Sequence, residues 1–180
     1  MRIAIGAMTA TVIILVFAGA VTAIIIMAAY PVRYRDEINA AATRFEIEPQ
    51  LIAAVIRAES RFKHDAVSNK DAIGLMQLLP STAAFIAQKN SIEIPTNIQV
   101  SAALKDPELN IMLGVAYLRY LLDKFDDLQT ALFAYNAGEG NVSRWLREQG
   151  ADSLTTTPFA ETNAYAARVL GAMRVYRWRL

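Results

Sequence analysis

Glu59 is the residue of this sequence whose type and position most clearly favour chemistry. In the run LIAAVIRAES, residues 51–60, an α-helix places Glu59 on the same face as Ile52 and Val55, because residues three, four and seven positions apart share a face. A carboxyl group on an apolar face is partly removed from water, which disfavours its charged form and raises its pKa. Such a group can act as a general acid near neutral pH. Periodicity alone equally favours a buried glutamate that pairs with a hydroxyl or an arginine.

The chain lacks the residues that several other kinds of catalysis need. The chain has no Cys and a single His, His64, which excludes thiol catalysis, thiolate metal sites and zinc sites built from several imidazoles. A Ser-His-acid triad would have to use His64, and no Gly-x-Ser-x-Gly turn accompanies it. We therefore expect no metal and no cofactor. The next acid along the chain, Asp65, lies in a polar segment where a solvated carboxylate is expected.

The elements that position Glu59 are predicted to be helices throughout. Beyond Pro31 the hydrophobic periodicity is helical, and no stretch alternates apolar and polar residues as a strand does. Pro49, Pro80 and Pro107 each precede such a helical run, and Asp106 is typical of an N-cap. The pattern predicts an all-α domain. Its predicted helices cover residues 35–45, 49–60, 80–89, 107–125, 128–137, 140–148 and 160–177, with loops at 63–73, 91–96 and 150–158.

An uncharged apolar segment precedes this domain, from Ile3 to Ala29. A helix of that length exceeds the ~30 Å hydrocarbon core of a bilayer. The alternative is a cleaved secretory signal that begins at Arg2 and ends at the small residues 18–20. Apolar residues continue beyond residue 20, which favours an uncleaved anchor. We predict a transmembrane helix over residues 1–30 and a globular domain over 31–180.

The charge balance excludes nucleic acid as the main partner. Subtracting Arg2 from the 18 basic residues leaves 17, which equals the 17 acidic residues of the domain. A nucleic-acid-binding domain needs a net basic face. The small basic cluster of Arg174, Arg177 and Arg179 is typical of a solvated helix end.

Four sequence blocks follow one another along the globular part. They are ESRF at 59–62 with GLMQ at 74–77 and PSTA at 80–83; Asn110 with Gly114 and Tyr117; AYNAG at 134–138; and ETN at 161–163 with Tyr165. Together they resemble the lytic transglycosylase domain of the soluble-lytic-transglycosylase (SLT) type, which is related to goose-type lysozyme. The resemblance covers residues 38–176 and implies a lysozyme-like helical fold.

The resemblance also implies an activity. Members of the family cleave the β-1,4 bond between N-acetylmuramic acid and N-acetylglucosamine in peptidoglycan, without water, and form a 1,6-anhydromuramoyl end. Glu59 would protonate the glycosidic oxygen and then accept the proton of the C6 hydroxyl. No second carboxylate is needed, because the nucleophile belongs to the substrate.

The implied partners are peptidoglycan glycan strands and, through the anchor, the cell membrane. Because peptidoglycan lies outside the cell, we expect a single-pass membrane protein whose domain faces the cell wall. Protein partners are not indicated. Two alternatives remain: a muramidase that uses Glu59 but admits water, and a catalytically silent wall-binding or scaffold protein.

By similarity, Ser68 would contact a sugar N-acetyl group, while Gln77, Tyr135 and Asn136 would line the cleft. Each has a structural alternative: Ser68 can shape a turn, Gln77 can satisfy a loop backbone, and Asn136 can belong to a helix C-cap.

Met76 and Tyr165 are further candidates for the substrate-binding cleft. Met76 stands at helical spacing from other apolar residues, which is more typical of a core. Tyr165 can stack on sugar or pack between helices, and we favour the cleft. Glu161, in the last block, is interpreted as structural.

The chain departs from the family pattern at Lys63-His64, where Asn-Pro is common, and at Asp71-Ala72, Leu79 and Glu139. Asp71 stands where a glycine is common, and a left-handed backbone there is less favourable for Asp than for Gly. Leu79 replaces a usual methionine, and Glu139 replaces a usual proline. These departures bear on the subsites rather than on the reaction.

Overall fold

The computed structural model describes the backbone from Arg2 to Leu180 and the side chains from Ile13 onward. The chain divides into two compact units, Met1–Pro31 and Val32–Leu180. The first unit contains helix α1, Arg2–Ala29, whose described apolar side chains are largely exposed. Within the part of the chain whose side chains are described, no helix is long and apolar enough to cross a membrane, so the span stays a prediction. The side chain of Arg2 lies outside the described part.

The second unit is built from helices. They are α2 (Arg35–Phe45), α3 (Pro49–Glu59), α4 (Pro80–Asn90), α5 (Val100–Ala103), α6 (Pro107–Phe125), α7 (Leu128–Ala137), α8 (Glu139–Gln149) and α9 (Ala160–Tyr176). Two isolated antiparallel bridges, Val67 with Ile73 and Ile73 with Leu78, are the only β pairing in the described residues. The all-α prediction is confirmed, and each predicted helix ends within one residue of its expected bounds. The short helix α5 was not predicted.

The helix starts follow from local chemistry. Proline occupies the first turn of α3, α4 and α6, where its missing N–H has no intrahelical acceptor in any case. Asp106 caps α6, because its carboxylate accepts a hydrogen bond of 2.9 Å from the N–H of Leu109, as predicted. Asp127 caps α7 in the same way, accepting 2.7 Å from the N–H of Thr130.

The core is arranged around α3 and α6. Helix α6 packs against α2, α4 and α7, while α9 packs against α3 and α7. Residues 51–56 of α3 are all buried, so the middle of this helix is held between its neighbours. Glu59 ends α3 where that helix meets α9.

The segment between α3 and α4, residues 60–79, is irregular. Arg61, Phe62, Asp71 and Gln77 all have positive φ angles, between 49° and 64°. Phe62 is buried, and its ring packs against that of Tyr176 at 6.3 Å between centroids. Asp71, with φ of 60°, adopts the left-handed conformation considered for this position. Non-glycine residues in this region store backbone strain, which the surrounding contacts must offset.

Candidate active site

A cleft of about 360 Å³ opens where the irregular segment 60–79 faces α7 and α9. The residues that line it are Glu59, Ser68, Asn69, Lys70, Ala72, Gln77, Leu79, Tyr135, Asn136 and Glu161. The candidate residues named from the sequence are therefore brought together, except for Met76 and Tyr165.

The Glu59 carboxyl is largely shielded from water at one end of this cleft. Burial raises the pKa of Glu59 from its ordinary 4.5 to about 7, although the nearby Tyr165 hydroxyl and the positive charge of Arg168 act in the opposite direction. Near neutral pH the carboxyl is therefore present in both protonation states. A single group with this property can donate a proton in one step and accept one in the next.

Tyr165 does not line the cleft but packs between helices, only 1% exposed. The guanidinium of Arg168 lies 6.0 Å from the centre of its ring. The Tyr165 hydroxyl is buried, has no hydrogen-bond partner of good geometry among the described residues, and interacts with the Glu59 carboxyl. The Tyr165 hydroxyl therefore faces the Glu59 carboxyl without forming a well-aligned hydrogen bond. The prediction that Tyr165 lines the cleft is therefore wrong, because its hydroxyl faces the Glu59 carboxyl instead.

Ser68 and Gln77 hold the irregular segment together as well as lining the cleft. The Ser68 hydroxyl accepts hydrogen bonds from the N–H of Lys70 (3.1 Å) and of Ala72 (3.0 Å). The Gln77 side-chain amide donates to the carbonyls of Ala66 (3.2 Å) and Gly74 (2.9 Å). The structural alternatives for both residues are thus present in the fold.

Tyr135 provides a neutral hydroxyl beside Glu59. It donates a 2.9 Å hydrogen bond to the carbonyl of Met76. Burial, followed by the nearby charge of Glu59, raises the pKa of Tyr135 well above its usual 10. This hydroxyl therefore stays protonated throughout the working range of Glu59.

Asn136 is positioned by α9, because its side-chain oxygen accepts a 2.8 Å hydrogen bond from the Thr162 hydroxyl. Helix α7 ends one residue later, and Gly138 follows with φ of 86°. The AYNAG block therefore forms the C-terminal end of α7, as the structural alternative for Asn136 predicts. Asn136 also lines the cleft.

Met76 lies in the core beneath the cleft, fully buried. Its N–H donates a 2.8 Å hydrogen bond to the side-chain oxygen of Asn110, whose amide donates to the carbonyls of Ile73 and Leu104. A β-carbon at Gly114 would collide with the Met76 sulfur. The prediction that Met76 lines the cleft is therefore wrong, because this side chain belongs to the packing below it.

Glu161 is a cleft residue that the sequence pattern did not identify. It was interpreted as structural, but its exposed side chain lines the cleft that contains Glu59. Its place in the cleft depends on the packing of α9 against α3, which no local pattern in the sequence specifies. Asp65, the other acid considered, is exposed and does not line the cleft.

No group of three or more His, Cys, Asp or Glu side chains gathers as a metal site in the part of the chain that the structure describes. The expectation that no metal is needed remains a prediction.

Comparison with known proteins places this geometry in a family. The model of the transglycosylase SLT domain matches residues 36–156. The soluble lytic murein transglycosylase of Escherichia coli K12 is 32% identical over 155 residues, which cover 83% of this chain and 24% of that protein. The membrane-bound lytic murein transglycosylase C of Edwardsiella ictaluri is 34% identical over 171 residues, covering 81% of this chain and 46% of that protein.

A solved structure agrees with these relatives. The lytic transglycosylase Slt of Pseudomonas aeruginosa, solved as an inactive mutant with glutamine in place of one glutamate, superposes with a TM-score of 0.71 at 31% identity. The match covers 83% of this chain and 25% of that one. The chain thus spans about a quarter of the length of the soluble relatives and has the helical lysozyme-like fold of their SLT domains. It belongs to the transglycosylase SLT family.

Proposed function

We propose that this protein is a lytic transglycosylase that cleaves the N-acetylmuramoyl-β-1,4-N-acetylglucosamine bond of peptidoglycan and forms a 1,6-anhydromuramoyl end. The observation that carries the proposal is the shielded Glu59 carboxyl in the cleft, whose pKa burial raises to about 7. Relatives named as murein transglycosylases support this substrate class.

Glu59 would act in both halves of the reaction. In the first, its proton passes to the glycosidic oxygen as the bond from that oxygen to C1 breaks. In the second, the C6 hydroxyl oxygen bonds to C1 and its proton returns to Glu59, which regenerates the acid. The nucleophile is held on the same sugar, so its effective concentration is high.

The neighbouring groups support this cycle. The Tyr165 hydroxyl faces the Glu59 carboxyl, where it favours the carboxylate that forms after the first proton transfer. Tyr135 presents a neutral hydroxyl at the same end of the cleft. Ser68, Gln77 and Asn136 offer polar side chains for the saccharide along the cleft.

We further propose that residues 1–30 anchor the protein in the cell membrane, with the catalytic domain, residues 31–180, facing the cell wall. Helix α1 is uncharged from Ile3 to Ala29, and its described large apolar side chains, from Ile13 to Met27, are exposed. A membrane-bound transglycosylase is among the relatives. Since the substrate lies outside the cell, the amino terminus would lie inside.

The test is digestion of purified sacculi by the full chain and by its Glu59→Gln variant. The amide has the shape of the carboxyl but cannot transfer a proton, so we expect a loss of at least about 100-fold in released muropeptides. Binding to sacculi should persist in a sedimentation assay. This second readout separates loss of chemistry from loss of the fold.

Asp65→Asn is the matched control, because Asp65 is an exposed acid outside the cleft. It should release muropeptides at the wild-type rate. A Glu59→Gln variant that keeps most of the activity would contradict the assignment.

A further inference from the structure

The segment that follows α9 is joined to the start of α2. The guanidinium of Arg35, the first residue of α2, donates a 2.8 Å hydrogen bond to the backbone carbonyl of Arg179. Residues 177–180 continue α9 as an ordered turn, because their N–H groups donate to carbonyls within residues 173–176 at 2.9–3.2 Å. Two segments that are distant in sequence are therefore held at one place on the domain.

This place carries an exposed tryptophan. Trp178 is 89% exposed, more than any other large apolar side chain that the structure describes. The second tryptophan, Trp145, is buried and packs against Phe159 at 5.0 Å between ring centroids. An indole is amphipathic and is favoured where an apolar phase meets water. Trp178 therefore has the chemistry of a contact residue.

Four arginines surround this tryptophan in the two joined segments. Arg33, Arg35 and Arg177 are exposed, and Arg179 is half-buried. Among the residues whose side chains are described, no carboxylate forms an ion pair with any of them. We call Arg33, Arg35, Arg177, Trp178 and Arg179 the Trp178 surface.

Solvation of a helix end explains only part of this surface. Cations that follow α9 suit the negative end of that helix, but Arg35 stands at the positive end of α2, which disfavours a cation. Asp36 and Glu37 lie in the same first turn. Four positive charges thus meet two negative ones, and the region stays net basic. A basic region with an exposed indole matches a partner that is anionic outside and apolar beneath.

The Trp178 surface lies next to the proposed anchor along the chain. Helix α1 ends at Ala29, and Arg33 follows four residues later, a stretch that spans at most about 14 Å. The hydrogen bond between Arg35 and Arg179 holds the segment after α9 near the same connection. If residues 1–30 cross the membrane as proposed, lipid headgroups are within reach of this surface.

We propose that the Trp178 surface binds the anionic lipid headgroups around the anchor and so holds one side of the catalytic domain against the membrane. This inference rests on the proposed anchor. The arginines would pair with lipid phosphates, which a guanidinium can bind through two parallel hydrogen bonds. The indole of Trp178 would enter the boundary between headgroups and acyl chains, where tryptophan is enriched.

The experiment reconstitutes the full-length protein in vesicles of phosphatidylcholine and phosphatidylglycerol in equal parts, with bromine on the acyl chains of the phosphatidylcholine. Bromine quenches tryptophan fluorescence at contact distance. Trp178→Phe leaves Trp145 as the sole tryptophan, so the difference between the two proteins isolates the Trp178 signal. We expect this signal to be quenched in the wild type.

Arg177→Glu tests the charge of the surface. A basic residue near an anionic membrane changes the binding equilibrium by about fivefold, so the ratio of quenched to unquenched Trp178 should fall by at least that factor. Replacing phosphatidylglycerol by unbrominated phosphatidylcholine should also lower the wild-type ratio. Arg147→Glu, at an exposed arginine in the last turn of α8, is the matched control and should keep the wild-type ratio.

Flotation of the vesicles separates this inference from the proposed anchor. A protein that does not float with the vesicles would contradict the anchor, and the lipid contact with it. If the protein floats, three results would each overturn the lipid contact alone: an unquenched Trp178, equal quenching without phosphatidylglycerol, or an unchanged ratio in Arg177→Glu. Sacculi that shield Trp178 from a soluble quencher when the vesicles do not would also overturn it, in favour of the glycan.

Discussion

At the scale of single residues, Glu59 combines two opposing requirements. Its apolar surroundings raise its pKa to about 7, which suits a group that must both give and take a proton. The same surroundings make the charged form costly for the folded protein. If Glu59 acts as proposed, its function reduces stability at this position, a trade-off that is common at active sites.

This trade-off predicts how stability depends on pH. In the unfolded chain Glu59 titrates near 4.5, and in the folded protein near 7. Between these values the folded state binds more protons, so stability falls as pH rises and the full loss is present above about pH 7. Glu59→Gln removes the titration and should stabilise the protein by about 1–3 kcal/mol at pH 8, with little effect at pH 4.

Denaturant unfolding of the two proteins at pH 4, 6 and 8 measures this difference. Glu161→Gln serves as the control at an exposed carboxyl in the same cleft, and it should show no pH-dependent gain. A Glu59→Gln variant that is no more stable than the wild type at pH 8 would show that the carboxyl is not desolvated.

At the scale of elements, the helices were predictable and the irregular segment 60–79 was not. Prolines at helix starts, the Asp106 cap and apolar periodicity define the helices locally. The shape of the 60–79 segment depends on positive φ angles at residues such as Arg61 and Phe62. These conformations are held by contacts with α6 and α9, which no local pattern in the sequence specifies.

Asn110 is the element-scale contact that holds this loop. Its side chain is buried and makes three hydrogen bonds to backbone groups of Met76, Ile73 and Leu104. Asn110→Ala would remove the partner of the Met76 N–H and of the Leu104 carbonyl, at about 1–3 kcal/mol for each buried group, whereas the Ile73 carbonyl would keep its 3.0 Å hydrogen bond from the N–H of Leu78. We expect a destabilisation of at least about 2 kcal/mol.

The shift of the urea midpoint checks this expectation. Asn39→Ala, at an exposed position of α2, is the control and should change stability by less than about 0.5 kcal/mol. If Asn110→Ala unfolds at the wild-type midpoint, the three hydrogen bonds do not support the loop.

At the scale of the whole molecule, the sequence indicated five of the ten residues that line the cleft, Glu59 among them. Periodicity placed Glu59 on the apolar face of its helix but left its role open between a general acid and a paired buried glutamate, and the resemblance of the ESRF and GLMQ blocks favoured the acid. Glu161 could not be recognised, because its relation to Glu59 arises only when α3 and α9 pack together. Met76 was assigned to the cleft from its block, although its apolar spacing favoured the core position that it occupies.

The proposed anchor predicts where the mature protein is found. If residues 1–30 hold it in the membrane, the full amino-terminal segment should be recovered in the membrane fraction and released by detergent but not by salt. Amino-terminal sequencing of that fraction is the measurement. A mature chain that begins near Val21 or Tyr30 and is recovered in the soluble fraction would contradict the anchor.

The most direct test of the central claim is the mass of the sugar ends that the enzyme releases from sacculi. Because the C6 hydroxyl is held on the reacting sugar, we predict ends of 1,6-anhydromuramic acid, with activity unchanged by a chelator. Glu161 is the second carboxyl in the cleft, so it is the residue that could activate a water. Reducing ends, each heavier by one water, would contradict the account and identify a hydrolase, with Glu161→Gln as the variant expected to abolish that hydrolysis.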